Sequence, residues 1–193
     1  MLISGSGNVA QFAAIKCREF GAQVLSFSDS NGTIIEPNGF SDDQIQELIK
    51  IKERRGRCSE YKSATAQYHE GKRPWKLVNC DVALPSATQN ELEEDDAQAL
   101  VKGGCKYVFE GANMPSTPAA INVLKPNAVY FPAKVIENYC GENEFVDFYV
   151  VFLTSKSLSK IRLQTLAEWP SPDWKWLKTR PVTIGRVMKS TTS

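Results

Sequence analysis

Gly5, Gly7 and Ala10, in the stretch LISGSGNVAQFAA, are the residues with the clearest chemical use. In a strand–turn–helix unit the first glycine permits a tight turn. The second lets a phosphate approach the backbone without meeting a Cβ, and the third position must be small so that helix and strand pack closely. The amides of Asn8 and Val9 then stand at a helix N-terminus, where partial positive charge favours a pyrophosphate. Asp29 falls at the end of the next strand. An acid there accepts hydrogen bonds from ribose hydroxyls and repels a 2′-phosphate, which favours NAD. Ser28, Ser30 and Asn31 beside it can donate, as a phosphate requires, and Asp29 also reads as the opening of an Asn-Gly turn. Local chemistry thus predicts dinucleotide binding and leaves NAD and NADP open.

The elements that must position these groups follow from pattern. MLIS reads as a buried strand, and the apolar positions from Asn8 to Phe20 suit one helix face ended by Gly21. AQVLSFS is a second strand, and DSNGTIIEPNG holds two Asn-Gly turns around a short hairpin. Ser41 and Gln44 form a capping-box pattern before Ile45, Leu48, Ile49 and Ile51. ERRGRCSEYKSATAQ reads as a polar, helical connection. NCDVALP, CKYVFEG and NAVYFP are strands. Between them lie EEDDAQALVKGG, a helix with acids in its first turn, and TPAAINVL, a helix begun by Pro118. The alternation predicts an α/β chain of Rossmann-like, doubly wound type with a mainly parallel sheet. Residues 1–134 are expected to form this domain. Residues 135–193, with Trp169, Trp174 and Trp176 around PSPDW, read as a divergent, irregular and disordered tail.

Composition narrows the function class. The chain has 193 residues, 42% hydrophobic, with a formal charge of +1, so nothing in its balance points to nucleic acid. Lys72, Arg73 and Trp75 are a single small cluster. The longest apolar run, FYVVFL, is far shorter than a membrane helix requires, and no secretory pattern opens the sequence. Five cysteines at irregular spacing read as free thiols of a reducing, cytoplasmic setting rather than a disulfide or metal framework. His69, the only histidine, lies in the polar connection and is expected at the surface, so no catalytic set can be built around it. The acids Glu93 to Asp96 read as a helix start, not a metal site.

SGSGNVAQFAA, SDSNGTI, RPW, DVALPSATQNE and EGANMPSTPAA together resemble, in order and spacing, the hexameric NADP-dependent glutamate dehydrogenases over Met1 to about Lys134. The resemblance implies a C-terminal dinucleotide-binding domain. Ser6, Gly7, Asn8 and Val9 match the family's pyrophosphate turn, and Asp29 and Ser30 match its adenosine-side contacts in members using NADP. That match moves the cofactor expectation from open to NADP, with NAD less favoured. Ala87, Thr88 and Gln89 match the loop beside the nicotinamide, and Asn113 matches another nicotinamide-side contact. These are short polar groups that can bond a ribose or carboxamide without bringing charge near the hydride path.

The resemblance also implies glutamate and 2-oxoglutarate as substrates and a homo-oligomeric assembly. The family's catalytic lysines and aspartate lie on a preceding domain that has no counterpart here, and the match fades after Lys134. The expectation is therefore a fragment with no catalytic residue of its own, inactive alone. The alternatives are a non-catalytic dinucleotide-binding module or an interaction partner of a full-length relative.

Overall fold

The computed structural model describes residues 1–131. In chain order they form β1 (Leu2–Ile3), α1 (Asn8–Glu19), β2 (Ser26–Asp29), β3 (Gly32–Ile35), α2 (Asp42–Glu53), β4 (Gln67–Glu70), β5 (Val82–Leu84), α3 (Glu94–Lys102), β6 (Tyr107–Phe109), α4 (Pro118–Asn127) and β7 (Val129–Phe131). A parallel sheet has the order β1-β5-β6-β7, and an antiparallel sheet the order β2-β3-β4. β2 runs along the free side of β1: Leu25 N donates to Met1 O at 2.9 Å and Ser28 N to Gly5 O at 3.0 Å. Between them the Ser26 hydroxyl takes the place of a backbone pair, accepting from Ile3 N at 3.0 Å and donating to Ile3 O at 2.9 Å. The result is a mixed α/β, Rossmann-like fold with a mainly parallel sheet.

Successive residues of the short parallel strands point to opposite faces. Leu2, Ala83 and Val108 join one core with Ala97 and Leu100 of α3 and Ala120 and Leu124 of α4. Ile3, Leu84 and Phe109 join the other with Ala10, Ala13, Ala14 and Cys17 of α1 and Ile45 and Leu48 of α2. Both faces are covered, which is why these strands are apolar throughout rather than alternating. Burying each Leu, Ile or Phe contributes about 1.5–3 kcal/mol. The expected capping box starts α2: Gln44 N donates to Ser41 Oγ, and Ser41 N to Gln44 Oε1. Among the described residues no helix is long and apolar enough to cross a membrane. Cys17, Cys58, Cys80 and Cys105 are free thiols.

The polar connection after α2 departs from expectation. Instead of continuing as helix, the chain turns at Arg55, which takes a left-handed φ of 62°. Arg55 N bonds Lys52 O and Gly56 N bonds Ile51 O, both at 2.8 Å, closing the helix by a six-to-one and five-to-two pair. A 3-10 turn at Cys58–Glu60 follows, and then β4, a strand the polar sequence QYHE did not announce. β4 forms because β3 offers an open edge, and backbone pairing there needs no apolar side chains. His69 lies opposite Thr33 on this strand and is half-buried rather than exposed. The expected tail over 135–193 lies outside the described residues.

Candidate functional site

The glycine turn is built at the C-terminal end of β1. Gly5 has φ +82°, and a Cβ there would meet Ser86 O at 2.8 Å, so only glycine fits. Ser28 holds the turn from β2, its hydroxyl accepting from Gly5 N at 2.8 Å. Gly7 is the N-cap of α1 and offers no side-chain bond to the helix, and the first turn carries no acid. By contrast, side chains of Gln44 and Ser41, Asp96, and Thr117 serve the starts of the other three helices. Among the described residues a Cβ at Gly7 would meet nothing within 4 Å, so the space beside the helix start is open. Asn8 and Val9 are exposed there, whereas Ala10 is fully buried, as close packing of α1 on β1 requires. The turn therefore fits a phosphate. Ser6 differs from its neighbours: it is 4% exposed and its hydroxyl faces the Cys58 thiol, leaving its backbone as the part available to a ligand. Burial pushes that thiol up to about 12, so Cys58 is a packing residue and not a nucleophile.

At the end of β2, Asp29 is largely enclosed, its side chain 7% exposed. Its Oδ1 accepts from Asn31 N at 2.9 Å and its Oδ2 from Cys58 N at 2.7 Å, with Lys52 Nζ at 3.7 Å. Burial alone would raise the Asp29 carboxyl, but the Cys58 and Asn31 amides and the Lys52 charge outweigh it, and the pKa lies below the ordinary value. Ser30 is exposed and accepts from Arg57 Nη1 at 3.0 Å. Two cations, Lys52 and Arg57, thus flank the strand end. Sequence reading missed both; the basic run in IKERRGR was the available signal, but nothing local said that it folds back onto β2.

The third part of the site comes from the loops after β5 and β6. Gly111 N and Ala112 N both donate to Pro85 O, at 2.8 and 3.0 Å. Asn90 N bonds Met114 O, Leu92 N bonds Pro115 O and Thr117 N bonds Leu92 O, so the two loops are zipped along their length. A Cβ on Gly111 would meet Ser86 Oγ at 2.5 Å and Val9 Cγ1 at 3.4 Å, which brings this zip against the glycine turn. Ala87, Thr88, Gln89 and Asn113 are exposed, and the side chains of Thr88, Gln89 and Asn113 make no hydrogen bond among the described residues. Glu91 beneath them is 4% exposed and accepts from Ala87 N at 2.9 Å. Glu110 is buried as well and accepts from the Tyr130 hydroxyl at 2.6 Å. Burial, followed by that carboxylate, pushes the Tyr130 phenol well above its usual value. No cluster of metal-ligating side chains occurs among the described residues. The four motif segments therefore meet at one edge of the parallel sheet, where open α/β sheets bind ligands.

Residues 1–141 match the family model for Glutamate/Leucine/Phenylalanine/Valine dehydrogenase. The chain belongs to this dehydrogenase family. It is similar to the NADP-specific glutamate dehydrogenase of Giardia intestinalis, 51% identical over 140 residues, which cover 69% of this chain and 31% of the relative. It also resembles the NADP-specific glutamate dehydrogenase of Escherichia coli, 48% identical over 131 residues, covering 67% of this chain and 29% of that one. Among solved structures, Plasmodium falciparum glutamate dehydrogenase superposes with a TM-score of 0.69 at 40% identity, over 86% of this chain and 36% of the other. The chain thus spans about a third of the length of the dehydrogenases it matches.

Proposed function

We propose that this chain is the dinucleotide-binding, C-terminal part of an NADP-linked glutamate dehydrogenase. In the intact enzyme the reaction would be the oxidative deamination of glutamate to 2-oxoglutarate and ammonium. The observation that carries the reading is the convergence, at one sheet edge, of an uncapped helix start beside open space with two exposed polar loops. The pyrophosphate would lie on the backbone of Ser6, Gly7, Asn8 and Val9. Thr88, Gln89 and Asn113 would bond the nicotinamide ribose and carboxamide, with Ala87 leaving room for the ring. The cofactor, when bound, supplies the hydride acceptor and donor; the protein's work is to fix the ring's position and face.

The adenosine end favours NADP over NAD. Asp29 is turned inward onto amides, while Ser30, Lys52 and Arg57 surround the strand end with a hydroxyl and two positive charges. A 2′-phosphate is attracted there, because Lys52 offsets Asp29, Arg54 pairs with Glu60, and among the described residues Arg57 is left with the Ser30 hydroxyl as its side-chain partner. The 193 residues alone are expected to bind without turnover, because Thr88, Gln89 and Asn113 carry no proton-transfer group and the nearby Glu91 and Glu110 are enclosed.

Titration of the purified chain with NADPH and NADH, followed by nicotinamide fluorescence, tests this reading. Saturable binding that prefers NADPH is expected. Equal affinity for both would remove the role given to Ser30, Lys52 and Arg57, and binding to neither would remove the site itself. Ammonium-dependent oxidation of NADPH by the chain alone would overturn the expectation of an inactive fragment.

A further inference from the structure

Two glutamates other than Glu110 are buried within the fold, and they differ in what they hold. Glu36 bonds the side chains of Ser63, Thr65 and Gln44, pinning the polar connection to β3 away from the motif loops. Glu91 instead lies directly under the loop that carries Thr88 and Gln89. Its carboxylate accepts from Ala87 N at 2.9 Å, and the Thr88 amide and the Ser4 hydroxyl lie beside it, each favouring its charged form. Ser4 is fully buried at the end of β1, and its hydroxyl accepts in turn from Ser86 N at 2.8 Å. One enclosed carboxylate therefore anchors the start of the loop at Ala87, next to the Ser4 hydroxyl that anchors Ser86 to the end of β1.

The charged group facing Glu91 is Arg73, whose Nη1 donates to the Glu91 backbone carbonyl at 2.5 Å and lies 3.4 Å from Glu93 Oε1 and 3.9 Å from Asp96 Oδ2. A carboxylate at 4% exposure carries a desolvation cost that an apolar side chain of the same size would not. Its bonds return that cost only in the geometry of the 86–88 backbone.

We propose that Glu91 is the positioning residue of the nicotinamide half of the site, holding the 87–89 loop in register with the glycine turn so that Thr88 and Gln89 face the ligand. The inference rests on the cofactor reading above and adds a residue that would not touch the cofactor. A carboxamide in place of the carboxylate leaves one neutral accepting oxygen in place of two charged ones, which weakens its hold on the loop amides.

The test compares two ligands on the full 193-residue chain: NADPH, which spans both halves, and 2′,5′-ADP, which fills only the adenosine half. Glu91→Gln is expected to weaken NADPH about tenfold and leave 2′,5′-ADP within about twofold. Ser4→Ala, which removes one link and keeps the acid, is expected to weaken NADPH about threefold with the same selectivity; it decides the matter if Glu91→Gln does not fold. Burial, opposed by Ser4 and the loop amides, leaves the Glu91 carboxyl above its usual value. The ratio of the two affinities should therefore fall toward acid pH in the unmodified chain and stay flat in Glu91→Gln. Equal weakening of both ligands, or unchanged NADPH affinity, overturns the proposal. An unmodified chain that binds neither ligand overturns the cofactor reading and this inference together, whereas normal NADPH binding by both variants overturns this inference alone.

Discussion

The two ends of the site solve the same problem in opposite ways. At the end of β2 the polar side chains are already occupied: Asp29 holds Asn31 and Cys58, and Ser30 holds Arg57. At the ends of β5 and β6 the backbone is occupied, and among the described residues the side chains of Thr88, Gln89 and Asn113 are left unbonded. A buried, bonded carboxylate is part of the fold's stability, whereas an exposed, unbonded amide contributes to binding and little else. Substitution should therefore read out as stability at Asp29 and as affinity at Thr88, Gln89 and Asn113. The glycine turn between them belongs to both.

Gly5→Ala should have the largest effect, since a Cβ meets Ser86 O at 2.8 Å in a left-handed backbone conformation. A loss of about 3 kcal/mol in urea unfolding is expected, with NADPH binding abolished. Ordinary stability would mean that the turn is not the joint between the two ends. Asp29→Asn comes next, costing about 1–2 kcal/mol near neutral pH. Because the Asp29 carboxyl lies below its ordinary value, its stabilisation is present above the unfolded pKa of about 3.9 and is lost as pH falls through the folded pKa. The difference between the two chains in urea unfolding should thus be full at pH 6 and vanish under strongly acid conditions. A difference independent of pH would assign the effect to shape rather than charge.

Arg57→Ala should weaken NADPH about tenfold while leaving NADH and stability nearly unchanged. Equal loss of both cofactors would break the assignment of the β2 end to the 2′-phosphate. The smallest effect on folding is expected for Thr88→Ala and Asn113→Ala: unfolding within about 0.5 kcal/mol, and NADPH affinity reduced roughly threefold to tenfold. A larger loss of stability than Asp29→Asn would reverse the comparison.

The glycine spacing, the Ser41–Gln44 box, the acids opening α3 and Pro118 opening α4 each act within a few residues, and each appears in the structure where its sequence puts it. The alternation of strand and helix likewise carried the mixed α/β fold and its mainly parallel sheet. β4 was not legible, because an edge strand can form from polar residues when a neighbour offers unpaired backbone. Nor was the half-buried place of His69, which follows from that pairing.

By itself the sequence determined the local devices: where the chain turns, where helices begin, and which small residues leave room for a phosphate. Tertiary structure decided which polar groups remain available. Lys52 reaches the β2 end from the last turn of α2, Arg57 reaches it after Arg55 reverses the chain, and Asp29 loses its outward role to the Cys58 amide 29 residues away. No sequence pattern singles out Glu91, and only the fold encloses it beneath the loop that its carboxylate holds at Ala87. A side chain's hydrogen bonds depend on neighbours distant in sequence, so its residue type sets what it can bond and only the fold sets what it does.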